Sequence, residues 1–102
     1  MRQKVSYKYV VKPRATLRIW SFYRNVARKY RHTYAEEDMI KNIQKAVRSI
    51  KLIEHTLQRR KPAISRWHDY NMAHAGNWYY AYTINDDVIT IVDACHAQNM
   101  HD

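Results

Sequence analysis

Residues 78–96 read WYYAYTINDDVITIVDACH, two β-branched and aromatic runs on either side of Asn85, Asp86 and Asp87. Such residues suit a pleated, half-buried surface and the Asn-Asp-Asp break supplies turn chemistry, so the stretch is expected to form antiparallel strands over 78–84 and 88–96. The second run, from Val88 to Val92, is largely apolar on both faces, which marks a central strand covered on both sides. Upstream, residues 70–74 read as a third strand, joined to the first run through Ala75, Gly76 and Asn77, so the only glycine goes to a hairpin.

The N-terminal part has a different period. Residues 5–11 alternate Tyr7 and Tyr9 with Ser6, Lys8 and Val10 and suit a strand ended by Lys12 and Pro13. Pro13 is tolerated in the first turn of a helix, and the helix it opens is expected to run to about Tyr30. At 100° per residue Ala15, Ile19, Phe22, Tyr23, Val26 and Tyr30 fall on one arc. Arg14, Arg24 and Arg28 fall opposite, Arg18 and Lys29 flank the arc, and Leu17 lies among the arginines.

Thr33 and Glu36 spell a capping box for a second helix, with Glu36, Glu37 and Asp38 in its first turn. Its apolar stripe is Met39, Ile40, Ile43, Ala46, Val47, Ile50, Ile53 and Leu57, with Lys41 and Lys45 facing away. Pro62 requires that it end at Lys61 or earlier. The expected fold is one α+β domain spanning 1–102: a strand, an antiparallel helical hairpin, then a three-stranded antiparallel meander with the helices on one face of the sheet.

Charge divides the chain at the same place. All eighteen Lys and Arg lie between Arg2 and Arg66 against four carboxylates, a balance of +14, whereas the remainder has five carboxylates and no Lys or Arg, a balance of −5. The basic part has the electrostatics of a binder of nucleic acid or of an acidic protein. Acidic residues that a solvated helix carries at i, i+4 are missing between Arg2 and His32, which favours a bound anion over a merely solvated stripe. Arg14, Arg18, Arg24, Arg28, Lys41, Lys45, Arg59, Arg60, Lys61 and Arg66 are the expected nucleic-acid contacts. The apolar run at Val88 is too short to span a bilayer, and no basic-then-apolar leader precedes Val5. A single cysteine, Cys95, makes no intramolecular disulfide, so a cytoplasmic protein is expected.

The opening strand, the helix carrying Leu17, Ile19, Trp20 and Tyr23, the long second helix and the closing WYYAYTINDDVITIVDACH together resemble the RelE/ParE superfamily of small bacterial toxins. The resemblance implies a toxin held by an acidic antitoxin, with no metal or other cofactor. RelE-like members cut mRNA on the ribosome; the alternative is a ParE-like, non-enzymatic inhibitor of DNA gyrase, or a catalytically degenerate antitoxin-binding member. RelE-like members carry Lys and Arg on the sheet, at positions where this chain has none. Cleavage by the RNA's own 2′-hydroxyl needs proton transfer and donors for the charge on phosphorus. Histidine recurs in the family near His96, which becomes the expected general acid or base, with Tyr79 or His74 assisting. The basic residues of the helices and of Arg59 to Arg66 would dock on rRNA. Strand alternation puts Tyr80 and Tyr82 on the Trp78 side toward the helices and leaves Tyr79 on the other side for base stacking. His96 and His101 lack metal-ligand spacing with Cys95, so zinc is not expected.

Overall fold

The computed structural model describes residues 7–55 and 64–101. Strand β1 (Lys8–Val11) leads into helix α1 (Pro13–Lys29) and helix α2 (Glu36–Ser49), followed by β2 (Asn71–Ala75), β3 (Trp78–Asn85) and β4 (Val88–His96). The two helices pack against a four-stranded mixed sheet of order β1-β4-β3-β2, in which β1 runs parallel to β4 and the other pairs are antiparallel. The fold is therefore α+β, with β4 central. The expected beginning of the first strand at Val5 lies outside the described residues, as do Leu57, Arg59, Arg60, Lys61 and the expected end of the second helix.

Both hairpins are two-residue turns, and each uses a left-handed residue. Gly76 has φ +60° with open space where a Cβ would stand, so backbone conformation rather than crowding calls for glycine. Asp86 adopts φ 55°, which aspartate tolerates better than most residues.

The second helix departs from expectation at both ends. The Thr33 and Tyr34 N–H groups both donate to the Tyr30 carbonyl, closing the exit of α1, and α2 starts later, with the Asp38 carboxylate accepting from the Ala35 N–H at 3.1 Å. Thr33 and Glu36 thus do not form the capping box. At the other end, the Ala46 carbonyl accepts the Ser49 hydroxyl at 2.6 Å and the Tyr80 hydroxyl at 3.0 Å. Ile50 N–H, deprived of its usual i−4 acceptor, bonds to Val47 and Arg48 carbonyls instead, and the chain tightens into a 3₁₀ helix, Ile50–His55. Ile43, Ala46, Ile50 and Ile53 of the apolar stripe are buried, whereas Ile40 and Val47 are exposed at its rim.

The main core lies between the helices and one face of the sheet, where Ala15 and Ile19 of α1 and Ile43 and Ala46 of α2 meet Trp78, Tyr80, Tyr82, Ile89, Ile91 and Ala94. Burial lifts the Tyr80 phenol to about 12. The opposite face is not bare. A short 3₁₀ turn, Ser65–Trp67, lays Ile64 and Trp67 against Ala81 and Cys95, with Met72, Tyr79, Val92 and Met100 packed around them.

An irregularity in β4 decides which side chain faces which layer. Tyr82 pairs with Ile91 but Ala81 pairs with Asp93, so Val92 is an extra residue, a β-bulge. Before it, Ile89 and Ile91 point to the helices. After it, Ala94 and His96 do, while Asp93 and Cys95 turn to the opposite face. Uninterrupted alternation would have sent Asp93 into the main core and His96 to the side of Tyr79.

Candidate nucleic-acid interface

Strand β1 covers only the first part of β4. Its last pairs are Val11 with Ile91 and the Lys12 N–H on the Ile91 carbonyl at 2.9 Å, after which Pro13 turns the chain into α1. From Asp93 to His96 the β4 edge has no strand partner on that side among the described residues. Side chains from α1 and from the Ser65–Trp67 turn gather there.

Asp93 is 5% exposed and fully engaged. Its carboxylate accepts the Trp67 indole N–H at 2.9 Å and the Ala94 N–H at 2.9 Å, and pairs with the Arg18 Nε at 3.4 Å. The indole bond anchors the turn over the sheet. The contact through Nε orients Arg18 while leaving its two Nη groups as donors for an anion. Arg66, next to Trp67, donates from Nη2 to Cys95 Sγ at 3.4 Å, and its guanidinium carbon lies 5.8 Å from the Trp67 ring centre. Burial raises the Cys95 thiol, opposed by the nearby Arg66 charge, so this buried cysteine stays protonated at neutral pH.

Between these groups lies a cleft of about 110 Å³ lined by Arg18, Phe22, Arg66, Cys95, His96 and Asn99. The His96 ring stacks on Phe22, centres 4.1 Å apart and planes within 9°, and meets the Trp78 edge at 5.4 Å. Its Nδ1 accepts the Gln98 N–H at 3.2 Å, which assigns the neutral ring's proton to Nε2. Burial depresses the His96 pKa below its ordinary 6.5. At neutral pH His96 is therefore an uncharged hydrogen-bond donor beside two guanidinium groups, an arrangement suited to one phosphate.

The three residues expected to share proton transfer do not come together. Tyr79 and His74 lie on the opposite face, their ring centres 5.6 Å apart, and Tyr79 packs in the small core under Trp67. The Val92 bulge is the cause: it turns His96 away from their side. Among the expected basic contacts, Arg18 and Arg66 line the cleft, whereas Arg14, Arg24, Arg28, Lys41 and Lys45 stand exposed along the helices. Arg59, Arg60 and Lys61 lie outside the described residues. Phe22 reads as a core residue in sequence and serves as the platform for His96. Trp67 carried a usable signal, since a bulky indole beside Arg66 and just ahead of the sheet suits a strap over its face.

Among the described residues no three His, Cys, Asp or Glu side chains group as a metal site requires, and no helix is long and apolar enough to cross a membrane. Comparison of the chain with protein-family models, curated proteins and solved structures found no match in any of the three.

Proposed function

We propose that the chain is a toxin of the RelE/ParE type that cleaves mRNA on the ribosome, in complex with an acidic antitoxin when restrained. The observation that carries this reading is the convergence of Arg18 and Arg66 on His96, which supplies from α1 and the Ser65–Trp67 turn the cations that β2, β3 and β4 lack. In this mechanism the two guanidinium groups hold the scissile phosphate and stabilise the charge that builds on it as the 2′-oxygen attacks. His96 gives a proton from Nε2 to the departing 5′-oxygen, and the proton of the attacking 2′-hydroxyl passes to water. Burial disfavours the charged His96 ring, so the imidazolium is a stronger acid than a free one and protonates the leaving group. The exposed cations of α1 and α2 provide non-specific attraction to rRNA, a contribution that weakens with salt.

Expression of the chain should arrest growth and leave cuts in translated mRNA at positions set by the reading frame. Arrest with intact mRNA and a DNA-damage response would transfer the function to a ParE-like inhibition of gyrase. Full cleavage with no ribosome present would refute the ribosome-dependent part of the proposal.

A further inference from the structure

Adjoining the Arg18–Arg66 cleft, and sharing Phe22, His96 and Asn99 with it, is a groove of about 480 Å³ between α1, α2 and the turn after β4. Its volume is in the range of small-ligand sites, and its lining is neither a plain apolar core nor a charged surface. Tyr23, Tyr30 and Tyr34 supply aromatic walls, and Tyr30 is 50% exposed although it carries one of the larger rings in the helical layer. Lys29 Nζ, also in the lining, stands 5.5 Å from the Tyr30 ring centre.

Beside Lys29, His96 and the tyrosine hydroxyls, the lining carries four carboxamides. Asn25 comes from α1, Asn42 from α2, and Gln98 and Asn99 from the turn after β4. Asn42 Nδ2 donates to the Tyr34 hydroxyl, which orients the side chain and leaves its carbonyl oxygen and second N–H for a ligand. Carboxamides present a donor and an acceptor side by side, matching the edge of a heterocyclic base, and exposed phenol rings match its face. Among the described residues no carboxylate lines the groove to repel a ligand that carries phosphate.

From this juxtaposition we infer that the groove is a nucleobase subsite, taking the base of a nucleotide whose phosphate lies in the Arg18–Arg66 cleft. The inference rests on the phosphate reading of that cleft. His96 stands at the junction, its ring lining both spaces, so base and phosphate of one nucleotide would meet on either side of it. Tyr30 stacks on the base, Asn25 and Asn42 address its edge, and Lys29 neutralises the next phosphate along the strand.

The test is a nuclear magnetic resonance titration of the isotope-labelled full chain with ribose 5-phosphate, the four nucleoside 3′-monophosphates and the corresponding nucleosides. At least one nucleotide should bind about tenfold more tightly than ribose 5-phosphate, the gain expected of one stacked base, with shifts at Tyr30, Asn42 and Asn99. Tyr30→Ala should abolish most of that gain without changing ribose 5-phosphate affinity; Asn25→Ala, also at an exposed position, should change the ranking of the four bases. Equal affinity for ribose 5-phosphate and every nucleotide overturns the subsite while leaving the phosphate cleft standing. A nucleotide gain that survives Tyr30→Ala overturns it as well. Nucleosides that shift the groove while no phosphate compound binds better would support the subsite and defeat the phosphate reading on which cleavage depends.

Discussion

The two halves of β4 are parts of one strand with opposite surroundings. Val88 to Ile91 is paired on both edges, by β1 and β3, and sends Ile89 and Ile91 into the main core at zero exposure. Asp93 to His96 pairs, among the described residues, with β3 alone, and has a bulge before it and arginines where β1 would continue. The first half is held by apolar burial, the second by a carboxylate with three donors and by ring stacking. The contrast shows how a chain with no cation in its meander acquires a cationic cleft there: β1 stops short, and the vacant edge is reached by Arg18 and Arg66.

The comparison predicts that damage to the first half is a stability effect. Ile91→Ala removes a side chain with no exposure between the helices and the sheet, and should cost about 2–5 kcal/mol in chemical denaturation. RNA cleavage per folded molecule should be unchanged. A loss of cleavage larger than the loss of folded protein would break the division between the halves.

Damage to the second half should do the converse. Arg66→Ala is expected to lower cleavage about 10²-fold, the order of effect of removing one preorganised donor from a site of developing charge. Its denaturation midpoint should move little, since Arg66 is exposed and the group it donates to, the Cys95 thiol, is neutral. Arg14→Ala, a similarly exposed cation on α1 that does not line the cleft, is the control and should reduce only the salt-sensitive part of RNA affinity. If both variants lose cleavage equally, the cleft has no special standing among the basic residues.

Much of this architecture could be read from sequence because it depends on local pattern. The strand ends at His96, the glycine turn and the buried positions Ala15, Ile19, Ile43 and Ala46 all follow from short-range periodicity and turn chemistry. The site was harder to read, for two physical reasons. A β-bulge leaves no mark in an apolar run, yet Val92 reverses the facing of every later residue in β4 and parts His96 from Tyr79. Arg18 and Arg66 are forty-eight positions apart, and their meeting depends on where β1 stops and on Trp67 finding Asp93. The local traces were Arg18 at the flank of the apolar arc and a lone carboxylate, Asp93, within a strand otherwise suited to burial. At Thr33 the sequence pattern misled, because its N–H and hydroxyl both bond the Tyr30 carbonyl and close α1.

The smallest predicted effect concerns His96 and separates its two chemical states. Its pKa is lowered by burial from 6.5, so between 6.5 and the folded-state value the unfolded chain binds the proton more readily than the folded one. The contribution of this group to stability is therefore complete above pH 6.5 and is lost as pH falls through the folded-state pKa. His96→Phe keeps an aromatic ring against Phe22 but cannot titrate. Denaturation of both proteins across this range should show the wild type losing ground to the variant only below pH 6.5. Cleavage, if it uses the imidazolium as acid, should run the other way and increase in the wild type over the same interval. A stability difference independent of pH would remove burial as the controlling feature of His96. A cleavage rate that rises with pH would instead assign it the base role that the Gln98 N–H on Nδ1 opposes.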